Sequence, residues 1–156
     1  MDNISKHISY LEATRSNTAL RRGIDNVPGI EELDNMKLIS ERVFEPLRKW
    51  VGRPIKINSF YRSPNLNVAI GGSEKSQHCN GQAIDIDDVF GGRFKHLNAA
   101  MFKYIRYHLD YDQIIWEFGD DNNPAWVHVS YVSEDENRHR CLKAYKKDGK
   151  TKYKII

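Results

Sequence analysis

Hydrophobic residues follow a helical period early in the chain and a strand period later, and this change limits the possible folds more than any other feature. From 30 to 50, apolar side chains recur every three or four positions, as on one face of a helix. From 112 to 131, two segments alternate apolar and polar residues, as half-buried strands do. Helices that come before most of the strands predict an α+β fold, with N-terminal helices packed on a small, mainly antiparallel sheet.

Local signals place the boundaries of these elements. Ser9 and Glu12 form the pattern of a capping box, so a first helix should begin near Tyr10 and end before Gly23. The other predicted elements, in chain order, are a helix from Pro28 to Gly52 with a kink or break at Pro46, a strand at 54–60, a loop at 61–81 with a helical turn at 65–69, a strand at 82–87, a helix at 94–109, and strands at 112–118 and 125–131.

Composition indicates one globular domain that comprises residues 1–156. The hydrophobic fraction of 40% and the charged fraction of 29% are ordinary for such a domain. No run approaches the roughly 20 apolar residues that a membrane span needs, and no signal peptide is visible, so we expect synthesis in the cytoplasm. Cys79 and Cys141 are then expected to be free thiols, and the protein a monomer.

The net charge of +3 is unevenly distributed. Residues 138–156 contain eight basic residues and one acidic residue, which gives +7 and leaves −4 for the rest of the chain. Asp148-Gly149 predicts a hairpin turn within this basic segment. The hairpin is either a solvated, lysine-rich sheet edge or a contact for an anionic cell-wall polymer. Nucleic-acid binding is not expected, because only Tyr145 could stack a base among the lysines.

Residue types suited to a metal site lie in the middle and later parts of the chain. His78 ends a loop, Asp85 lies on the following predicted strand, and His128 lies on a later one. Two imidazoles and a carboxylate are a ligand set for catalytic zinc, since three protein ligands leave a fourth position open. Alternation alone does not decide between Asp85 and Asp87, and a single strand histidine is more often a surface residue than a ligand.

The segment Ser76-x-His78-x-x-Gly81-x-Ala83-x-Asp85 matches, position for position, the signature of the zinc D-alanyl-D-alanine carboxypeptidase family. The stretches 59–67 and 126–130 also resemble that family, which includes bacteriophage murein endopeptidases and shares its fold with the Hedgehog signalling domain. The resemblance covers nearly the whole chain and implies a sheet with a zinc cleft.

The resemblance also implies roles for individual residues. His78, Asp85 and His128 would bind one zinc ion per chain, and Arg62 would bind the carboxylate or polarise the scissile carbonyl of the substrate. Ser76 would be either a structural or a substrate-side hydrogen-bonding residue in the turn of the motif, rather than a nucleophile.

The general base is expected to be Glu117, at the end of the strand that should pair with the His128 strand. Eleven positions separate Glu117 from His128, more than in the common family pattern, so residues 119–124 must form a protruding loop. Asp120 and Asp121 in that loop are the alternatives.

Two functions follow as hypotheses. The first is a zinc peptidase that cleaves the peptidoglycan stem peptide, as a D-Ala-D-Ala carboxypeptidase or an L-Ala-D-Glu endopeptidase. It would act on the wall once released from the cell, as a phage-type lysin does. The second is a metal-containing, Hedgehog-like binding domain without turnover.

Overall fold

The computed structural model of the protein describes residues 3–88 and 95–156, and these form an α+β fold. The helices are α1 (Tyr10–Thr14), α2 (Asn17–Arg22), α3 (Ile30–Ile39), α4 (Glu45–Val51), α5 (Pro64–Ala69) and α6 (Leu97–His108). The strands are β1 (Asn3–Ser5), β2 (Ile8–Ser9), β3 (Lys56–Ser59), β4 (Ala83–Asp87), β5 (Gln113–Glu117), β6 (Trp126–Ser130), β7 (Arg140–Lys147) and β8 (Lys150–Ile155). Phe94, the predicted start of the helix at 94–109, lies outside the described residues.

The first predicted helix is in fact two short helices. The hydroxyl of Ser9 accepts a hydrogen bond from the Glu12 N–H and starts α1 as predicted. A second serine, Ser16, has an extended backbone and accepts from the Ala19 N–H, so it starts α2 anew. The prediction of one helix was wrong because Ser16 offers a second N-terminal cap between the predicted start near Tyr10 and the predicted end before Gly23.

The second helical segment continues past Pro46 without a break. A π-helical turn, Ser40–Phe44, joins α3 to α4, and the Glu45 N–H bonds the Ser40 carbonyl. Pro46 lies at the start of α4, directly after this π-helical turn, and has no N–H to donate to a carbonyl of that turn. Gly52 ends α4 in the left-handed conformation, as the sequence predicts.

Six strands form the main sheet, in the order β3-β4-β6-β5-β7-β8. Among the described residues, every neighbouring pair is antiparallel except β5 and β7, which run parallel. The sheet is therefore mixed and mainly antiparallel. The Asp148-Gly149 turn joins β7 to β8 with both residues at positive φ, as expected of a two-residue hairpin turn.

The two faces of this sheet have different surroundings, and we call them the core face and the cleft face. On the core face, residues such as Ile84, Val127 and Ile114 are fully buried in one apolar cluster with α6 and the N-terminal helices. Phe102 of α6 packs edge-to-face on Trp116 at a ring distance of 5.4 Å. The alternate side chains of the same strands form the cleft face, which carries the polar residues.

Cys79 and Cys141 are free thiols. Among the described helices, none is long and apolar enough to cross a membrane.

Candidate metal centre and active-site cleft

The turn that carries His78 is fixed by its neighbours in sequence. Ser76 caps a 3₁₀ turn, Gln77–Asn80, and its hydroxyl accepts from the His78 N–H at 3.3 Å. Gly81 ends the turn at a φ of +72°, and a Cβ there would lie 2.5 Å from the Glu32 carbonyl oxygen of α3. Glycine is therefore required for both conformation and close approach. The cap gives Ser76 a structural role in the His78 turn. Its predicted contact with the substrate stays a prediction.

His78 presents one ring nitrogen to the cleft. Its Nδ1 lies 2.7 Å from the Phe60 carbonyl oxygen, which can only accept, so Nδ1 carries the proton. The other nitrogen, Nε2, is buried, has no hydrogen-bond partner and lies 3.3 Å from Asp85 Oδ2. Burial lowers the pKa of His78, so the ring is neutral with a free electron pair on Nε2. This is the state in which histidine binds a metal ion.

Asp85 and His128 face each other on neighbouring strands. They are register partners in the β4–β6 pair, and Asp85 Oδ1 lies 2.9 Å from His128 Nδ1. Burial opposes ionisation of Asp85, yet the pKa of this carboxyl lies below its ordinary range, and its hydrogen bond with the His128 side chain is one of the causes. Asp87, the alternative, instead accepts from the side chain of Asn98.

The three side chains fit a metal ion. The ligand atoms that His78, Asp85 and His128 offer all lie within 4.8 Å of one another. The buried, unpartnered Nε2 of His78 is the kind of atom that a metal ion would satisfy. Two neutral imidazoles and one carboxylate are also the donor set of catalytic zinc.

Glu117 lies on the same face of the sheet. β5 pairs with β6 so that Ile115 is opposite His128 and Glu117 is opposite Trp126. The carboxyl group lines the cleft and is only 8% exposed. Burial raises the pKa of Glu117 to about 7, with the charge of Asp85 adding to the effect and His128 opposing it. Such a carboxyl can take up and release a proton near neutral pH.

The alternative carboxylates in the loop point away from the cleft. Asp120 accepts the backbone N–H groups of Asn122 and Asn123 and so closes the loop on itself. Asp121 is 93% exposed and pairs with Lys143. The predicted loop at 119–124 does form, but it packs on the start of α6, where Asn123 Oδ1 accepts a hydrogen bond from the Ala99 N–H. The Ala125 N–H bonds the Glu117 carbonyl at the base of the loop. The geometry favours Glu117.

Arg62 lies beside the His78 turn and lines the same cleft. Its N–H bonds the His78 carbonyl, and its Nη1 donates to Asn67 Oδ1 at 3.3 Å. Asn67 is buried and donates to the Ser73 carbonyl. A Cβ on Gly72 would overlap Asn67 Oδ1, so a glycine is needed where this loop passes the amide.

The cleft has a volume of about 780 Å³. It contains every predicted site residue and several that the sequence reasoning did not assign to the site. These additional residues come from the loop after α5, from the segment before β7 and from the hairpin, and include Lys75, Gln77, Arg138, Lys146, Thr151 and Tyr153. Alternation places Tyr153 on the same face of the hairpin as Leu142 and Ala144. No local sequence signal shows that this face of the hairpin lines the cleft that contains the candidate metal ligands.

Comparison with known proteins adds the family. The family model described as Peptidase M15 matches residues 6–130, which is most of the chain. The chain belongs to the peptidase M15 family. The resemblance predicted from Ser76–Asp85 is thereby confirmed at the level of the family, and with it a zinc-dependent metallopeptidase class. No curated protein matched the sequence. The match of this M15 peptidase ends before β7, so the β7–β8 hairpin lies outside the matched residues.

Proposed function

We propose that the chain is a zinc peptidase that hydrolyses a peptide bond of the peptidoglycan stem peptide, as a D-Ala-D-Ala carboxypeptidase or an L-Ala-D-Glu endopeptidase. The observation that carries the proposal is the position of Glu117 on the same face, and in the same cleft, as His78, Asp85 and His128. This arrangement supplies both a metal-binding group and a proton acceptor.

His78, Asp85 and His128 would hold one zinc ion. When bound, zinc supplies Lewis acidity, which lowers the pKa of water and polarises a carbonyl group. The Phe60 carbonyl keeps the proton of His78 on Nδ1 and so keeps Nε2 available. Asp85 Oδ1 lies 2.9 Å from His128 Nδ1, so these two side chains already face the same point.

Glu117 and Arg62 would assist the chemistry in two different ways. Glu117 would take a proton from the attacking water and return it to the leaving amine, since its pKa of about 7 suits both steps. Arg62 would bind the substrate carboxylate or the carbonyl oxygen on which negative charge develops. Asn67 holds its guanidinium in place. Ser76 caps the turn that carries His78 and would form a hydrogen bond with the substrate.

The alternative, a Hedgehog-like binding domain without turnover, is less well supported. Such a domain needs no proton acceptor beside its metal ligands. Glu117 is nonetheless buried at that place with a raised pKa, at a cost in stability that a pure binding site does not require.

Incubation with purified peptidoglycan, followed by mass spectrometry of the released muropeptides, tests the proposal because it reports the cleaved bond directly. We expect new amino and carboxyl termini at one of the two proposed bonds. His78→Ala is the control, and elemental analysis should find about one zinc per wild-type chain and little in the variant. Unchanged muropeptides with the zinc-loaded wild type would reject the peptidoglycan substrate and favour the binding domain.

We also propose that the β7–β8 hairpin contacts an anionic cell-wall polymer. The side chains of Lys147, Lys150, Lys152 and Lys154 are exposed, and Lys152 and Lys154 point away from the cleft face. Cosedimentation with purified walls should weaken steeply as salt is raised. Binding that does not depend on salt would reject this contact.

A further inference from the structure

The β7–β8 hairpin forms one wall of the active-site cleft. β7 pairs in parallel with β5, so Ala144 lies opposite Glu117 and Leu142 lies opposite Ile115. Ile115, Leu142 and Ala144 form a small buried apolar cluster against Phe118. Beyond this cluster, Lys146, Thr151 and Tyr153 line the cleft from the same face of the hairpin. A segment outside the family match thus completes the cleft.

Lys146 is held in place without an acidic partner. Its Nζ donates to the hydroxyl of Thr151, directly across the hairpin, at 2.9 Å and lies 5.4 Å from the centre of the Phe118 ring. In the described part of the chain no carboxylate pairs with it. Lys143, on the opposite face of β7, does pair, with Asp121. The ammonium group facing the cleft is therefore oriented and free to bind an anion.

The charges that line the cleft favour an anionic ligand. Arg62, Lys75 and Lys146 face it, and none of the three has an ion pair among residues 3–88 and 95–156. The carboxylates that line it are Asp85, which belongs to the metal ligands, and Glu117, whose raised pKa reduces its charge. A divalent cation would make the cleft more positive still.

We propose that Lys146 binds a carboxylate group of the peptide substrate at a distance from the scissile bond, so that the hairpin selects acidic peptides. This inference rests on the proposed peptidase function. Strand geometry places the Lys146 Cα about 8 Å from the Glu117 Cα, one strand across and two residues along. That distance corresponds to about two or three residues of an extended peptide. Thr151 orients the ammonium group for this contact.

The test compares Lys146→Met with Lys103→Met, which removes the same charge from an exposed position on α6, on the opposite side of the sheet. The zinc-loaded proteins are assayed on three synthetic stem peptides with the same scissile bond. One has all carboxylates free, one has the glutamyl α-carboxylate as a carboxamide, and one has a C-terminal carboxamide.

We expect Lys146→Met to raise KM about tenfold on the free acid while kcat stays within about twofold, since the contact is made equally in ground and transition state. The deficit should disappear with one of the two amides, because that substrate lacks the group that Lys146 binds. Lys103→Met should match wild type on all three. Equal behaviour of the two variants, or the same deficit of Lys146→Met on all three peptides, would overturn the inference.

A failure of the proposed function gives a different result. If the wild type cleaves none of the peptides, calorimetric titration of the same peptides into the zinc-loaded proteins replaces the assay. Binding of the free acid should then be about tenfold weaker to Lys146→Met than to Lys103→Met. Equal affinities would overturn the inference independently of turnover.

Discussion

Ile84 and Asp85 are neighbours on β4, yet they lie on opposite faces of the sheet and have opposite surroundings. Ile84 is fully buried among apolar side chains, whereas Asp85 lies between two histidines at the cleft. The same alternation separates Trp116 from Glu117 on β5 and Val127 from His128 on β6. Each central strand thus contributes to the hydrophobic core with one set of residues and to the site with the other. Stability and chemistry should be separable by mutation along a single strand.

The largest expected effect is on the cleft face, at Glu117. Glu117→Gln should lower turnover of stem peptides by about 10²–10⁴-fold, since a positioned general base contributes that much. Zinc content should stay at the wild-type level, because Glu117 is not among the ligands. Kinetics and elemental analysis measure the two quantities.

Asp121→Asn is the matched control, because Asp121 is exposed and directed away from the cleft. It should retain nearly full activity. Turnover by Glu117→Gln within tenfold of wild type would move the base to Asp120 or Asp121.

The core face gives the reverse result at Ile84. Ile84→Ala should lower the free energy of unfolding by about 2–5 kcal/mol, because it removes buried methyl groups and leaves a cavity. The folded variant should still bind zinc. Asp85→Asn, one residue on, should lose zinc. Urea unfolding and elemental analysis of both variants test the separation, and loss of zinc from folded Ile84→Ala would contradict it.

Asp112 is an exception to this separation, because here a charged residue near the cleft contributes to stability. Asp112→Asn tests that contribution. Buried Asp112 accepts from the backbone and side chain of Arg138 and from Gln77. Burial alone would raise the pKa of Asp112, but these hydrogen bonds outweigh it and lower the pKa to about 2. Asp112→Asn should therefore lower the free energy of unfolding by about 2 kcal/mol at pH 7.

The sign of the pH dependence follows from the lowered pKa. The stabilisation is complete above the ordinary aspartate pKa of about 3.9 and is lost as pH falls through about 2. The difference between wild type and Asp112→Asn should accordingly shrink in acid, as denaturant titrations at several pH values would show. A difference independent of pH would mean that shape, and not charge, matters at this position.

The smallest effect is expected in the loop that supports the cleft. Gly72→Ala should displace the Asn67 amide, which anchors Arg62, because the new methyl group overlaps Asn67 Oδ1 and lies 3.2 Å from Arg62 Nη1. We expect kcat/KM to fall about tenfold, because the Arg62 guanidinium would no longer be held in its binding position. The zinc content should be unchanged. Wild-type kinetics would show that Arg62 is positioned by other contacts.

Much of the central sheet could be predicted because its information is local. Alternation placed Val127 and Val129 on the core face and His128 on the other, and the structure agrees. The turn after Glu117 brought that residue to the cleft edge, as the hairpin prediction required. The ten residues from Ser76 to Asp85 identified the family and grouped two ligands, because a fixed turn and a strand follow directly in sequence.

The position of the hairpin could not be predicted in the same way. Its turn and its two faces are encoded locally, but its parallel pairing with β5 joins residues 27 positions apart and leaves no periodic signal. The role of Lys146 was missed for that reason. The anchoring of Arg62 by Asn67 and Gly72 was missed because it depends on a loop conformation without a period. The break between α1 and α2 was missed because Ser9 and Ser16 each cap a separate helix, and only the cap at Ser9 was considered.

The hydrogen bond from His78 to the Phe60 carbonyl affects how well the candidate metal centre tolerates substitutions of neighbouring residues. A main-chain acceptor is present whatever residue occupies position 60, so no single substitution there deletes it. His128, in contrast, contacts a side chain, and Asp85 both contacts that histidine and belongs to the proposed ligand set. The hydrogen bond of His78 therefore survives substitution at position 60, whereas a substitution at Asp85 removes both a proposed ligand and the contact with His128.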